Sequence, residues 1–291
     1  MKPDAPQETV QAAYRRCRNQ LRQAGIAEAA FEAETLISHV TGRSRFEPGT
    51  LTAEQKLVLD ALIIKRLNRE PLQYLLGSWP FMDLELAVGP GVLIPRPETE
   101  QVCLAALKCL AGNPQPTVLE LCAGTGAMAL AIQSRLPQAT VTAVELDAAA
   151  FGWLERNIQA FAQNHATAPM SVQADVLEYH HALPVAALDL IVCNPPYVAE
   201  AEYAGLEPEL YFEPRRALIA PEGGLFFYRR IARDYLKALK PGGWLVFELG
   251  AGQAPAVGEL LAQNGYTAIE TRPDYAGHDR IALAQRPPLG T

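Results

Sequence analysis

The sequence predicts an α/β protein in which a small N-terminal helical bundle precedes a doubly wound, mostly parallel sheet. Two observations carry this prediction. Apolar residues recur at helical spacing through residues 7–69. From Thr117 onward, short apolar runs of strand length alternate with helical segments, which is the pattern of repeated βαβ units. We expect a helical domain at 1–75, a hairpin linker at 76–97 and a sheet domain at 98–291.

Composition limits the classes of function. The chain has 291 residues, of which 49% are hydrophobic and 20% charged, so it can bury a sizeable core. The net charge is −7, and the part after residue 80 holds fourteen Lys/Arg against twenty-three Asp/Glu. This acidity argues against tight nucleic-acid binding, which needs a basic face. Because the N-terminus resembles no targeting peptide and no apolar run is long enough for a membrane span, we expect a cytoplasmic protein.

The cysteine pattern favours reduced thiols. The count is odd, and none of the cysteines forms a Cys-x-x-Cys pair. This pattern is typical of a cytosolic protein with neither a disulfide framework nor a zinc site. His180-His181 has no third ligand nearby in the sequence, so we expect no metal. The five cysteines are Cys17, Cys103, Cys109, Cys122 and Cys193.

Three helices are expected in the N-terminal part. The first begins near Val10 and stops at Gly25, and the second ends at Gly42. Thr52 and Gln55 fit a capping box that opens the third. This part contains no catalytic cluster. A small bundle beside a catalytic domain is more often a substrate-recognition module than an enzyme, and a packing appendage is the alternative.

A proline-rich segment leads into the sheet domain. Trp79 to Val88 alternates loosely in polarity and favours a hairpin. Pro95-Arg96-Pro97-Glu98-Thr99-Glu100 follows. Read locally, it is a rigid entry into a helix, with Thr99 near the N-cap and the glutamates complementing the helix dipole. Read functionally, it is a stiff wall beside a site, with Arg96 as an anchor.

Seven strands and four helices are expected in the sheet domain. The strands are Thr117–Leu121, Thr140–Glu145, Met170–Gln173, Leu188–Cys193, Trp244–Leu249, Thr267–Glu270 and Arg280–Ala284. The helices are Ala127–Leu136, Ala148–Ala162, Leu225–Leu239 and Pro255–Asn264. Pro241-Gly242-Gly243 is expected to be a turn.

A glycine-bearing turn, Glu120 to Gly126, follows the first strand. Gly124 and Gly126 let the backbone approach a ligand closely. The turn matches neither the Gly-x-Gly-x-x-Gly fingerprint nor a phosphate loop, so we do not expect it to bind pyrophosphate. Glu120 at its start suits a ligand with a positive end.

Polar residues also follow the next three strands. A carboxylate at Glu145 can accept hydrogen bonds from both hydroxyls of a ribose, whereas Asp147 behind it is better explained as a helix cap. Asp175 suits an adenine amino group, and Asn194 follows the fourth strand. Ligands bind at this edge of open α/β sheets, so these side chains should share one crevice. The ligand implied has an adenosine and a positively charged end, as S-adenosylmethionine does.

The fourth strand ends in Asn194-Pro195-Pro196-Tyr197. An Asn side chain both donates and accepts hydrogen bonds, and the prolines leave bare carbonyls as acceptors. Tyr197 adds a flat face. The four residues suit a planar amino group, and by themselves they fit a Pro-Pro turn at a strand end about as well.

Together these residues resemble the class I amino-methyltransferases. Three further segments, Pro95–Glu100, Phe212-Glu213-Pro214 and Asp274–Arg280, are similar to the HemK/PrmC family, the N5-glutamine methyltransferases of peptide chain release factors. The likeness covers nearly the whole chain. It implies a Rossmann-like, seven-stranded methyltransferase domain with an N-terminal helical bundle. It also implies methyl transfer from S-adenosylmethionine to the glutamine of a Gly-Gly-Gln motif in release factors. We expect a monomeric enzyme that contacts neither nucleic acid nor membrane.

The resemblance also assigns site residues. Cofactor contacts fall on Glu120, Cys122, Ala123, Gly124, Thr125, Gly126, Glu145, Asp175, Val176 and Asn194. Substrate contacts fall on Leu93, Pro95, Arg96, Asn194, Pro195, Pro196 and Tyr197, with catalysis assigned to Asn194, Pro195 and Tyr197. Family members usually carry Gly where this chain has Cys122. Because Cys is small, we expect cofactor binding to survive the difference.

Two other functions remain open from the sequence. A nucleic-acid amino-methyltransferase acting on adenine N6 or guanine N2 shares the Asn-Pro-Pro-Tyr motif, but it should have a basic groove. A non-catalytic adaptor that binds release factors would keep the fold, but it would not need an intact Asn194 or ligand crevice.

Overall fold

The computed structural model describes residues 7–288, and the chain divides into two compact units. The first comprises residues 7–77 together with Glu207–Phe212. The second comprises Ser78–Leu206 and residues 213–288. The remaining parts of the expected segments 1–75 and 98–291, at the two ends of the chain, lie outside the described residues.

The helical unit is held by local capping signals. Its helices are α1 (Val10–Gln23), α2 (Ala29–Thr41), α3 (Ala53–Leu67) and α4 (Leu72–Leu76). Thr9 caps α1, and Gly42 ends α2 in the left-handed conformation. Thr52 and Gln55 form the predicted capping box at the start of α3. These caps satisfy backbone groups that a short helix would otherwise leave unpaired.

A buried arginine holds the segment Glu207–Phe212 in the helical unit. Arg66 is 4% exposed and donates hydrogen bonds to Glu32 at 2.6 Å and to Glu209 at 2.9 Å. Arg69 also donates to Glu209, at 3.1 Å. Removing one partner from a buried ion pair costs about 3–5 kcal/mol, so this cluster fixes the segment firmly. The ionic partners are 143 residues apart, and sequence spacing gives no sign of them.

The second unit alternates strands and helices. Its strands are β1 (Ser78–Phe81), β2 (Leu84–Ala87), β3 (Thr117–Leu121), β4 (Thr140–Glu145), β5 (Met170–Gln173), β6 (Leu188–Cys193), β7 (Val198–Ala199), β8 (Ile219–Ala220), β9 (Leu239–Glu248), β10 (Thr267–Pro273) and β11 (Asp279–Gln285). Its helices are α5 (Pro97–Cys109), α6 (Ala127–Arg135), α7 (Ala148–Ala162), α8 (Val176–Tyr179), α9 (Phe226–Tyr235) and α10 (Ala254–Gln263). Short 3₁₀ turns occupy His180–Ala182, Glu200–Gly205, Arg215–Ala217 and Glu222–Gly224, and a further one at Pro208–Phe212 belongs to the first unit.

The central sheet confirms the predicted fold class. Within residues 7–288 its strands run in the order β10-β11-β9-β6-β3-β4-β5. The pairs among β9, β6, β3, β4 and β5 are parallel, and β11 is antiparallel to both of its neighbours. The hairpin β1–β2 and the parallel pair β7–β8 form separate small sheets.

The prediction of a turn at Pro241–Gly243 is wrong. Strand β9 begins at Leu239 and carries these residues as a bulge, because Leu188 pairs with Leu239 and Leu190 pairs with Trp244. Pairing with β6 therefore overrides the local turn signal.

Alternating side chains place one apolar core on each face of the sheet. Val118, Leu190 and Val192 belong to the core that includes residues of α5, α6 and α7. Leu119 and Ile191, one position along, belong to the core that includes residues of α8, α9 and α10. The two-residue period of a strand produces this division, and it fixes the register of the central strands. The strand ends are thereby held in a constant relation to one another.

Within the described part of the chain, no helix combines the length and apolar character that crossing a bilayer requires.

Candidate active site

A cavity of about 320 Å³ lies in the second unit at the carboxyl ends of the parallel strands. Its volume is in the range typical of small-molecule sites. The carboxyl edge of an open α/β sheet is also where such ligands bind. The predicted site residues that line it are Leu93, Pro95, Arg96, Glu120, Cys122, Ala123, Gly124, Thr125, Glu145, Asp175, Val176, Asn194 and Pro196.

Three predicted residues do not line this cavity, although all three are within the described part of the chain. They are Gly126, Pro195 and Tyr197. Gly126 caps α6, Pro195 is buried, and the Tyr197 hydroxyl contacts Glu248. Any part that Pro195 and Tyr197 play in catalysis stays a prediction.

The glycine turn adopts a conformation that favours residues without a side chain. Cys122, Gly124 and Gly126 have φ angles of 56°, 55° and 80°. A Cβ atom added at Gly126 would lie 2.4 Å from Leu154 Cδ1, so this position cannot accept a larger residue without movement of the core. The turn brings the start of α6 close to the edge of the cavity.

Glu120 is buried beneath this turn. The residue is 2% exposed, and its Oε2 accepts a hydrogen bond from the Ala129 amide at 2.8 Å. Burial raises the pKa of Glu120 to about 8, and backbone hydrogen bonds from α6 oppose that shift. The carboxyl group therefore satisfies free donors in the first turn of α6 while it lines the cavity.

Glu145 organises the turn from the neighbouring strand. Its Oε2 accepts from the Gly124 amide at 2.8 Å, and its Oε1 accepts from the amides of Leu146 and Asp147 at 2.9 and 2.8 Å. A carboxylate offers about four acceptor positions, so one is left for a ligand hydroxyl.

Asp175 and Asp147 both cap helices. Asp147 accepts from two amides at the start of α7, which confirms the predicted cap. Asp175 caps α8 through one oxygen, at 2.8 Å from the Leu177 amide, and it also lines the cavity. Among residues 7–288, no hydrogen bond engages its second oxygen.

Thr99 lies three residues after the N-cap of its helix, close to it as predicted, but it does not cap the helix. Arg96 is the N-cap of α5 and Pro97 is the first helical residue, because a proline ring already has a helical φ and its missing amide is not needed there. Thr99 is the third residue of α5, in its first turn. Its hydroxyl donates to the Glu248 carboxylate at 2.6 Å instead of capping the helix.

Glu213 holds the proline-rich wall. It is 4% exposed, its Oε2 accepts from the Ile94 amide at 2.9 Å, and its Oε1 accepts from the Arg96 guanidinium. Arg96 is therefore an anchor, as the sequence suggested, with Glu213 as its partner. The bond joins the wall to the chain segment that follows the Asn-Pro-Pro-Tyr loop.

Glu248 connects the two ends of the Asn-Pro-Pro-Tyr loop. Asn194 Nδ2 lies 3.4 Å from Thr99 Oγ1, and Thr99 donates to Glu248. Tyr197 donates its hydroxyl to the other Glu248 oxygen at 3.3 Å. Burial and the negative charge of Glu248 raise the pKa of Tyr197. Gln253 also donates to the Tyr197 carbonyl, at 2.9 Å.

No sequence pattern assigned a site role to Thr99 or to Glu248. Glu248 ends a sheet strand just as Glu145 does, and this shared position is a signal that could have identified it. The lining contributed by Arg216, Ile219, Phe226 and Phe227 was also missed. Arg216 and Ile219 come from the segment after the Asn-Pro-Pro-Tyr loop, and Phe226 and Phe227 come from the start of α9. Periodicity predicts that helix, but it does not indicate which of its residues reach a ligand.

Two family models match the chain. A model of the PrmC N-terminal domain matches residues 12–77, and a model described as conserved hypothetical protein 95 matches residues 81–222.

Curated relatives match nearly the full length. A release factor glutamine methyltransferase from Vibrio cholerae is 36% identical over 286 residues, which are 95% of this chain and 96% of the relative. One from Bordetella pertussis is 38% identical and covers 86% of this chain and 93% of the relative. Among solved structures, a methyltransferase from Pyrococcus furiosus has a TM-score of 0.50 at 18% identity, covering 71% of this chain and 90% of that chain. That last likeness concerns the fold. The full-length identity to the curated enzymes shows that this chain belongs to the release factor glutamine methyltransferase family.

Proposed function

We propose that this protein transfers a methyl group from S-adenosylmethionine to the side-chain amide nitrogen of the glutamine in the Gly-Gly-Gln motif of peptide chain release factors. The observation that carries the proposal is the shared cavity. Glu145, Asp175 and Asn194, from the ends of three strands, line it together. Relatives with this named activity are 36% identical over nearly the whole chain.

The residues present fit S-adenosylmethionine. Glu145 has an acceptor position free for a ribose hydroxyl, and Asp175 has an oxygen free for an adenine amino group. The turn at Gly124 has no side chain to obstruct a ligand. Glu145 and Asp175 add negative charge to the cavity lining, which suits a cationic ligand. When bound, this cofactor supplies an electrophilic methyl group on a sulfonium.

Asn194 is the residue that orients the substrate. A glutamine amide nitrogen is a poor nucleophile because its lone pair is delocalised into the carbonyl. A side-chain oxygen of Asn194 that accepts one amide hydrogen aims the nitrogen at the methyl group. Such orientation can supply roughly 7–11 kcal/mol of a barrier in favourable cases. The same oxygen stabilises the positive charge that develops on the nitrogen.

Other residues confine the substrate amide. Leu93, Pro95 and Pro196 form apolar walls of the cavity, and Arg96 keeps the first wall in place through Glu213. The Pro195 carbonyl is proposed to accept the second amide hydrogen, and Tyr197 to pack beside the amide plane. No general base is required before methyl transfer, since the proton can leave to solvent afterwards.

Asn194→Ala should abolish methyl transfer and leave the fold intact, because it removes the orienting oxygen. The test incubates the purified protein with labelled S-adenosylmethionine and a release factor, and follows label on the factor. Asn164→Ala is the matched control, since Asn164 is exposed on the surface. Asn194→Asp keeps an acceptor but adds a charge, so we expect it to retain little activity.

Three results would overturn the proposed function. One is methylation by Asn194→Ala at the rate of the unaltered protein. Another is label on nucleic acid and none on release factor, which would favour an adenine or guanine amino-methyltransferase. The third is cofactor binding without transfer to either substrate, which would favour a release-factor-binding adaptor.

The domains have distinct proposed roles. Residues 1–75 form the substrate-recognition domain, 76–97 the hairpin linker and 98–291 the methyltransferase domain. The release factor is the partner, and the enzyme is proposed to act as a cytoplasmic monomer without direct contact to nucleic acid. Light scattering after size-exclusion chromatography should give a mass near 31.6 kDa. A mass of twice that value would contradict the monomer.

A further inference from the structure

A chain of hydrogen bonds leads from Asn194 to a buried carboxylate. Glu248 is 1% exposed and accepts from the hydroxyls of Thr99 at 2.6 Å and Tyr197 at 3.3 Å. Thr99 Oγ1 in turn lies 3.4 Å from Asn194 Nδ2. We call Asn194, Thr99 and Glu248 the orienting chain. Of the three, Thr99 and Asn194 line the cavity.

Counting protons fixes the direction of each bond. An ionised carboxylate can only accept hydrogen bonds, so the Thr99 hydroxyl must donate its single proton to Glu248. That leaves the Thr99 oxygen able only to accept. The part of the Asn194 amide that faces it must therefore be the NH₂ group, and Oδ1 must face the other way.

Resting on the proposed function, we propose that Thr99 and Glu248 are positioning residues that hold the Asn194 side-chain oxygen toward the substrate amide. An Asn side chain has two orientations of similar shape and opposite polarity. Only one of them presents an acceptor to the substrate nitrogen. The other would present NH₂ to NH₂ and would lose both the alignment and the stabilisation of developing charge. The orienting chain selects the productive orientation before the substrate arrives.

The orienting chain has this direction only while Glu248 is ionised. Protonated, it could donate to Thr99, whose own proton could then turn toward Asn194 and permit the wrong orientation. The charged or titratable groups that face Glu248 are Glu98 on α5, Cys193 on β6, Tyr197 in the loop, Tyr228 on α9 and Arg280 on β11.

Burial raises the pKa of Glu248 to about 7, Glu98 adds to the rise, and Thr99, Arg280 and Tyr197 oppose it. A raised pKa widens the pH range in which a carboxyl group is neutral. Glu248 is therefore ionised above about pH 7 and protonated below it, and kcat should fall as the pH decreases through that value.

The first test compares Thr99→Val with Thr99→Ser at pH 8. Val has the shape of Thr without its hydroxyl, so kcat for release-factor methylation should fall by about 10- to 100-fold, as loss of alignment can. The KM for the cofactor should change less than about twofold, since orientation and not cofactor contact is lost. Ser keeps the hydroxyl and should restore most of the rate. A wild-type kcat in Thr99→Val, or equal impairment in Thr99→Ser, would overturn the proposal.

Glu248→Gln supplies the second test. The Gln amide can donate or accept a hydrogen bond, so it no longer fixes the direction of the hydrogen bonds in the orienting chain. The amide also does not titrate. We expect a reduced kcat and a pH profile without the step near pH 7. If the step persists, another group such as Glu120 causes it and the proposal fails. This variant also decides the question if Thr99→Val does not fold.

A readout that does not depend on methylation separates this inference from the proposed function. In ¹⁵N-labelled protein, the side-chain amide signals of Asn194 can be assigned by their absence in Asn194→Ala. They should shift with a midpoint near pH 7 in the unaltered protein and show no such step in Glu248→Gln. If the unaltered protein fails to methylate a release factor but shows this step, only the proposed function has failed. Unchanged signals across pH 5.5–9 would contradict the orienting chain itself.

Discussion

The two sides of the cavity are built in different ways. On the glycine-turn side, Glu145 accepts three hydrogen bonds, all from backbone amides within 21 residues of it. On the Asn194 side, Glu248 accepts from the side chains of Thr99 and Tyr197. Thr99 is 149 residues away from Glu248 in sequence. One side is a folded turn closed by a carboxylate, and the other is a network of side chains from separate elements.

This difference predicts different consequences of mutation. Backbone amides on the glycine-turn side set the shape that receives a ligand, so changes there should alter cofactor affinity. Side chains on the Asn194 side set directions and hold the wall that faces the substrate, so changes there should alter kcat or the KM for the release factor and not cofactor affinity. Three substitutions test this division, in order of decreasing expected effect.

Glu145→Ala should weaken cofactor binding by about 100-fold. It leaves the amides of Gly124, Leu146 and Asp147 without their acceptor, and it removes the carboxylate proposed to accept from a ribose hydroxyl. Hydrogen bonds to charged groups contribute about 1.5–3 kcal/mol. Titration calorimetry with S-adenosylmethionine measures the change. Glu155→Ala, on the exposed surface of α7, is the matched control. An affinity within threefold of the unaltered protein would show that the turn keeps its shape without Glu145.

Glu213→Gln should raise the KM for the release factor by about tenfold, with cofactor affinity within about twofold. The Gln side chain can still accept from the Ile94 amide, but it loses the charge that binds Arg96, and hydrogen bonds to charged groups contribute about 1.5–3 kcal/mol. Steady-state kinetics with varied release factor measures this, with exposed Glu259→Gln as control. A weaker cofactor affinity with an unchanged KM for the release factor would show that this wall supports cofactor binding and not substrate binding.

Cys122→Gly should have the smallest effect. Glycine removes the strain of a side chain at a φ of 56°, whereas it also removes a thiol that packs against the core beneath the turn. These contributions oppose each other. We expect the dissociation constant of S-adenosylmethionine to change less than threefold and the melting temperature to change by only a few degrees. A tenfold change in affinity would show that the cysteine has a direct role in cofactor binding.

Local signals explain how much of the second unit could be predicted. Strands β3, β4, β5 and β6 have the boundaries that their apolar runs predicted. A buried strand in a parallel sheet is a continuous apolar run, and its end is marked by the first polar or glycine residue. Because each site acid lies at such an end, the same signal located the cavity.

Other features depended on competition between local and distant partners. Thr99 has the side chain of a helix cap, but Pro97 begins the helix earlier and frees the hydroxyl for Glu248. Pro241–Gly243 has the residues of a turn, but pairing with β6 draws it into β9. Glu209 is flanked in sequence by residues of the second unit, but its hydrogen bond with Arg66 holds it in the first unit.

The sequence by itself determined the seven strands of the central sheet along the chain, the glycine turn and the positions of Glu145, Asp175 and Asn194, because each depends on residues close together in the chain. Only the tertiary structure decided which side chains meet. Glu248, Thr99 and Tyr197 come together through packing and strand pairing across long sequence separations. No local pattern encodes the direction in which Asn194 presents its oxygen, since that direction follows from a count of protons among groups that only the fold assembles.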